Sequence, residues 1–366
     1  MIRIRQCDLL DGTGLRRGVT IRIADGRIIR LATDTPRPDA PLICPGLVDL
    51  QVNGGGGHML GECQTVAQVR DIVRAQCRLG TTQLLLTLIS DSRDTTLRII
   101  DLVARAQKAV PTLLGLHLEG PHLWIAGAHS ASRLRPMTDQ DVSNYLNAKS
   151  RLGHLMITLA PEVVTLKQIT ALAKAGIIVA LGHSGCSYQA GCDAFAAGAR
   201  MVTHLFNAMS GLHHREPGLA GAALDRAEAF GLIADGHHVH PAVLRLALRS
   251  RPEAAILVSD AMALAGTGQT GFALDGRRIT RAGGRLTLAN GTLAGADISL
   301  LDGARRLARV MGVPLDQTLP HAFAAPLRLL TGQVPQIREG DDATFLMIKG
   351  TAATLFLRGT PRPIDR

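Results

Sequence analysis

From residue 46 onward the chain repeats one hydrophobic pattern: a short unbroken apolar run, a break, then a longer stretch with apolar residues every three or four positions. The unbroken runs are GLVDLQV (46–52), TTQLLLTLIS (81–90), LLGLHLE (113–119), LMITLAP (155–161), IIVALGH (177–183), MVTHLF (201–206), FGLIAD (230–235) and AAILVSD (254–260). Runs of this length with little alternation read as strands buried on both faces. Between them, TVAQVRDIVRAQCRLG (65–80), TLKQITALAKAG (165–176) and HPAVLRLALRS (240–250) carry apolar residues at helical spacing. Eight buried parallel strands with helical crossovers predict an α/β chain built on a (β/α)8 TIM-type barrel. A doubly wound open sheet is compatible with the same strands.

The pattern changes at both ends. IRIRQCDLLDGTG and GVTIRIADGRIIRLAT alternate apolar and polar residues around Asp-Gly turn signals at Asp11 and Asp25. Past Asp260, the stretch 272–295 has hairpin chemistry, 297–312 and 314–332 read as helices, and 341–363 returns to short strands. The two ends are expected to pair in a small β-sandwich domain made of residues 1–44 and 336–366, leaving 45–335 as the barrel.

A length of 366 residues accommodates one barrel of about 250 residues plus a minor domain. Hydrophobic residues at 46% and charged residues at 19% place the chain among folded globular proteins. No apolar run approaches the roughly 20 residues of a membrane span, and the N-terminus meets charge too early for a secretory signal, so a cytoplasmic protein without membrane contact is expected. Six scattered cysteines without CxxC spacing read as buried free thiols. The net charge of +10 raises nucleic acid as a partner, but the arginines are spread singly and aromatics are only 3%. No nucleic-acid partner is expected; a positive field that gathers a small anionic substrate fits better.

In a parallel barrel, polar residues closing successive strands converge on one mouth. Here those residues are Gln51 and Asn53 after the first run, Glu119 after the third, His183 after the fifth, His204 within the sixth, His238 after the seventh and Asp260 after the eighth. One such histidine alone is ordinarily hydrogen-bonded into the rim. A carboxylate and two imidazoles from three strand ends, with a further carboxylate on the last, supply the His2Glu ligand set and the base that metal-assisted amide hydrolysis requires. The NGGGG stretch (53–57) lacks the GK[ST] of a phosphate loop and reads as a tight rim turn. His213 and His214 read as solvated loop residues, and His117 as packed beneath the mouth.

The motifs PGLVDLQVNGGGG, GLHLEGPHL, LAPE, GHSGCSYQ, THLFNAMSGLHHREPGLAGAAL, ADGHHVHP, VSDAMALAG and GTLAGADISL, in that order, resemble the motif series of N-acetylglucosamine-6-phosphate deacetylases in the amidohydrolase superfamily. The resemblance implies a barrel with a terminal β-sandwich, usually a homodimer, that removes acetate from N-acetylglucosamine 6-phosphate. It places Glu119, His183 and His204 at the metal and Asp260 at the catalytic acid–base position. His129 in GAH falls on the substrate-carbonyl side, and Asn207, Ala208, Arg215 and His238 fall on substrate and phosphate contacts. Gln51-Val52-Asn53 stands where many amidohydrolases carry HxH, and amides replace imidazoles poorly as ligands, so one divalent metal is expected: Zn2+ foremost, with Fe2+, Co2+ or Mn2+ compatible. GADISL and VSDAMALAG depart from the usual family pattern near the expected sugar pocket. Another acylated amino-sugar phosphate, such as N-acetylgalactosamine 6-phosphate, therefore stays open as substrate. A non-catalytic binding or regulatory barrel would typically lack the ligands or the base, and all four are present.

Overall fold

The computed structural model describes residues 1–364. Its main sheet has eight parallel strands in sequence order: Leu47–Val52, Thr81–Ile89, Leu113–Glu119, His154–Leu159, Ile178–Leu181, Met201–Val202, Ala229–Leu232 and Ala255–Leu257. The first strand meets the segment that follows the last one at a single bridge between Val52 and Ala261. There the Asn53 and Gly54 N–H groups donate to the Ala261 carbonyl at 2.8 and 3.1 Å. The sheet is thus a nearly closed (β/α)8 barrel and not an open one.

Strand periodicity sorts the side chains into two layers. Val48, Leu50, Leu85, Met156, Ile178, Ile233 and Ile256 fill the barrel interior. Their neighbours Leu47, Leu84, Leu86, Leu116, Leu118 and Leu257 face the surrounding helices. The helices Val66–Arg78, Asp139–Lys149 and Leu166–Lys174 each begin at a threonine capping box, from Thr65, Thr138 and Thr165. Such caps satisfy N–H groups that the first turn leaves unpaired, and each fixes where the chain re-enters the barrel wall.

The chain ends pair as expected, in one seven-stranded sheet ordered Thr360–Pro363, Ala352–Leu357, Phe345–Lys349, Leu42–Pro45, Ile2–Asp11, Gly14–Ala24 and Arg27–Thr33. At its second hairpin Asp25 and Gly26 both have positive φ, 51° and 76°, as a two-residue turn of the Asp-Gly kind demands. Its own core holds Leu9, Ile21, Ile23, Ile28, Ile43, Phe345 and Phe356. A further four-stranded antiparallel sheet, between Gly271 and Ala296, supplies Leu274 and Leu293 to the wall of the barrel-mouth cavity. No helix among the described residues is long and apolar enough to cross a membrane. All six cysteines are free thiols.

The sixth run departs from expectation. The apolar pattern extends it over 201–206, but only Met201–Val202 is strand. Beyond it His204, Phe206 and Ala208 adopt left-handed φ values of 30°, 78° and 49°, and the Leu205 N–H donates to the Gly231 carbonyl at 2.8 Å. The chain turns sharply at the very residues whose hydrophobicity suggested a longer strand.

Candidate metal and catalytic site

Three of the polar strand-end residues share one backbone device. His183, His204 and Asp260 all lie in the left-handed region, with φ of 50°, 30° and 49°. Non-glycine residues adopt it at a cost, and such positions gather at functional sites. Each turns the chain immediately after a strand, where the barrel mouth lies.

Glu119 ends the third strand and stands between the imidazoles. Its Oε1 lies 2.9 Å from His204 Nε2 and 3.4 Å from His183 Nε2, and the two ring nitrogens are 3.1 Å apart. Donor atoms around a four-coordinate cation with bonds of roughly 2.0 Å are separated by roughly 3.3 Å, so the spacing fits such an ion. Hydrogen bonding sets which ring atoms are available. His183 Nδ1 lies 2.7 Å from the Ile125 carbonyl, to which it can only donate, leaving Nε2 as a bare lone pair. His204 Nδ1 is buried without a partner among the described residues. Burial works to raise the Glu119 carboxyl, but the His183 and His204 imidazoles set against it hold it well below the usual carboxylate range. Burial also opposes charge on His204, and Glu119 overrides it and raises that imidazole.

Glu119, His129 and His183 also fall within 4.8 Å of one another, so on distance alone His129 could share a metal. Its tautomer argues otherwise. His129 Nδ1 accepts the Ser90 N–H at 3.2 Å and lies 2.9 Å from Ser90 Oγ, so Nε2 carries the proton and points into the site as a donor. Burial, reinforced by His183, pushes this imidazole down to about 3, which keeps it neutral. Ser90 closes the second strand run, and that position at a strand end is the one sequence signal of its role.

Gln51 and Asn53 act as donors. The Asn53 amide donates to Asp260 Oδ1 at 2.7 Å, and the Gln51 amide reaches both Asp260 Oδ1 at 3.2 Å and Glu119 Oε1 at 3.1 Å. With both amides on Oδ1, Asp260 Oδ2 is left for chemistry. Burial and the negative charge of Glu119 push the Asp260 carboxyl up to about 6.

The loop that carries His129 is fastened from outside. Asp141, with a side chain 2% exposed, receives Arg135 at 2.5 and 2.7 Å, Arg93 at 3.2 Å, and the Thr138 hydroxyl at 2.7 Å. Burial would raise this carboxyl, but Arg135 and Thr138 hold it well below the ordinary range. Asp141→Ala removes the N3 half of the Thr138 capping box and the shared partner of two guanidinium groups, and is expected to destabilise the protein by about 2–3 kcal/mol in urea unfolding. Because the folded pKa is depressed, this contribution is present above the unfolded value of about 3.9 and disappears as pH falls below it. The variant should therefore show a weaker dependence of stability on pH in that acid range.

A cavity of about 470 Å3 opens over the site, lined by Glu119, His129, His183, His204, Asn207, Ala208, His238 and Asp260, with apolar walls from Ile89, Ile233, Met262, Leu274 and Leu293. His238 is held there by Asp235, whose Oδ2 accepts from Nδ1 at 2.7 Å and whose Oδ1 accepts the His237 and His238 N–H groups. The Asn207 amide donates to the His204 and Leu205 carbonyls and braces the turn. Arg215 is not brought in: it lies on the exposed 211–216 loop with His213 and His214, outside the cavity lining. His117 is fully buried between the Thr87 and Thr158 hydroxyls, and His240 caps the helix Pro241–Ser250. Gly54–Gly55 pairs with His58–Met59 in a tight rim turn. A larger cavity of about 770 Å3 beside the mouth, near Arg281 and Arg306, includes none of Glu119, His183, His204 or Asp260, so size does not locate the chemistry.

No family model matches the chain. It is 36% identical over 344 residues to an N-acetylgalactosamine-6-phosphate deacetylase of Shewanella sp. (strain ANA-3), covering 90% of this chain and 87% of that one. It is 30% identical over 381 residues to the N-acetylglucosamine-6-phosphate deacetylase of Homo sapiens, covering 95% and 91%. Its structure is similar to that of a mutant N-acetyl-D-glucosamine-6-phosphate deacetylase from Mycobacterium smegmatis in complex with N-acetyl-D-glucosamine 6-phosphate, with a TM-score of 0.90, 28% identity and 98% of both chains covered. With a barrel mouth that assembles a carboxylate, imidazoles and a buried acid, and with kinship along nearly its whole length, the chain belongs to the N-acetylhexosamine-6-phosphate deacetylase family of the amidohydrolase superfamily.

Proposed function

We propose that the chain hydrolyses the acetamide of N-acetylglucosamine 6-phosphate to glucosamine 6-phosphate and acetate, with one divalent cation, Zn2+ foremost, held by Glu119, His183 and His204. The observation that carries this reading is the convergence of two imidazole Nε2 atoms on Glu119 Oε1, with Gln51 tying that carboxylate to Asp260. A cation held there would supply Lewis acidity to the amide carbonyl and lower the pKa of a bound water. Asp260 takes the proton of the attacking water at Oδ2 and returns it to the departing nitrogen, without which an amine leaves poorly. His129 offers its Nε2–H to the carbonyl oxygen as charge builds there, a contact of a kind worth roughly 3–4 kcal/mol. Asn207, Ala208 and His238 shape the sugar side of the cavity. Arg215 is assigned to the phosphate by its REPG motif, its fork of donors suiting a dianion. The family resemblance supports a cytoplasmic homodimer.

The 36% identity to an N-acetylgalactosamine-6-phosphate deacetylase favours the C4 epimer as a second reading. Met262 and Leu293, from the segments that depart from the usual family pattern or adjoin them, line the cavity where a sugar would rest. The deciding experiment measures acetate release from both epimers, together with the metal content of the purified protein. Activity is expected to disappear on chelation and return with Zn2+. Turnover that survives complete metal removal, or none with either sugar, would overturn the reading. A higher kcat/KM for the galacto epimer would select the second substrate.

A further inference from the structure

We propose that Asp49 is a positioning residue for this reaction: by joining the first and last barrel strands through one side chain, it sets where Asp260 and Gln51 stand. The inference rests on the deacetylase reading. The strands Leu47–Val52 and Ala255–Leu257 are the two ends of the sheet, and no ladder joins them below the Val52–Ala261 bridge among the described residues. Asp49 spans this gap. Its Oδ1 accepts the Gln51 N–H at 3.1 Å, and both carboxylate oxygens lie 3.3 Å from the Ser259 nitrogen. A side chain thus accepts hydrogen bonds that a neighbouring backbone would take in a regular sheet.

The two anchored N–H groups belong to Gln51 itself and to the residue before Asp260. The Gln51 side chain contacts both Glu119 and Asp260. Ser259 also accepts the Ala261 N–H at its Oγ, so the left-handed turn at Asp260 is held on both sides. Asp49 is 0% exposed and has no ion-pair partner among the described residues. Burial pushes its carboxyl up to about 7. A lone buried acid is unfavourable for stability where an apolar side chain would not be, and its hydrogen bonds to the Gln51 backbone and to the backbone and side chain of Ser259 offset that cost.

The test compares Asp49→Leu, which fills the space without an acceptor, with Asp49→Asn, whose amide oxygen can still accept both N–H groups. Asp49→Leu is expected to lower kcat by roughly 10²-fold, the scale of a small misplacement, with KM and metal content near those of the native protein. Asp49→Asn is expected to recover kcat to within about fivefold. Amide hydrogen exchange across residues 255–262 should quicken in the leucine variant and not in the asparagine one. A leucine variant within about threefold of native kcat, an asparagine variant as impaired as leucine, or a loss that follows metal content would each overturn the proposal. If Asp49→Leu does not fold, Asp49→Ser, too short to bridge the strands, takes its place with the same readouts. Native protein inactive on both epimers defeats the deacetylase reading, while the exchange comparison still decides whether Asp49 clamps the seam.

Discussion

Asp260→Asn is expected to keep its metal and its fold and to lose acetate release by roughly 10³-fold. An asparagine oxygen can still accept from Asn53 and Gln51, which hold Oδ1 at 2.7 and 3.2 Å, so the surrounding geometry has no reason to collapse. What disappears is a group that can take a proton and give it back. The pH profile separates this from a structural effect. The native carboxyl is pushed up to about 6, so the form able to accept a proton is populated above that pH and depleted below it. Native kcat/KM should then fall about tenfold for each pH unit on the acid side, and the residual activity of the variant should lack that limb. Turnover within about tenfold of native would remove Asp260 from the acid–base role.

His204→Ala is expected to abolish both metal retention and activity. The imidazole sits 2.9 Å from Glu119 and 3.1 Å from His183, so its removal takes away one donor and leaves a buried carboxylate less well matched. His183→Ala should behave alike. His129→Ala should not: with Nδ1 committed to Ser90, it offers a proton and no lone pair, so its loss should spare the metal and lower kcat by roughly 10²–10³-fold. Metal analysis after dialysis, beside kcat for the three variants, reads the difference. Full occupancy in His204→Ala would break the ligand assignment, and loss of metal in His129→Ala would put that imidazole in the ligand set.

The barrel was legible because burial on both faces writes itself into the chain as unbroken apolar runs, and the strand ends followed from it. Glu119, His183 and Asp260 come together with His204 because the first three close such runs and His204 lies in the sixth, just past its strand. The supporting contacts were less legible. Ser90 acts at one ring nitrogen of His129, 39 residues away, and nothing in its neighbours announces that partner; Asp235 stands three residues before its partner His238, yet an Asp-Gly pair there reads first as a turn. The sixth strand is shorter than its apolar run because Leu205 and Phe206 are apolar whether the chain extends or turns. Arg215 shows the reverse limit: its motif is clear, yet its side chain is exposed on a loop away from the cavity. Asp49 stood in plain view inside GLVDLQV, but its importance depends on where the barrel closes, which no local pattern encodes.

Leu42–Pro45 lies at the centre of the terminal sheet, bonded to Ile2–Asp11 on one side and to Phe345–Lys349 on the other. The second partner is synthesised some 300 residues after the first. At ribosomal rates of about 5–20 residues per second, the nascent strand waits roughly 15–60 s with one edge bare. During that interval Ile43 and Cys44 are open to chaperones or to a neighbouring nascent chain. A transcript truncated before Phe345 would leave them so permanently, with the barrel itself nearly complete.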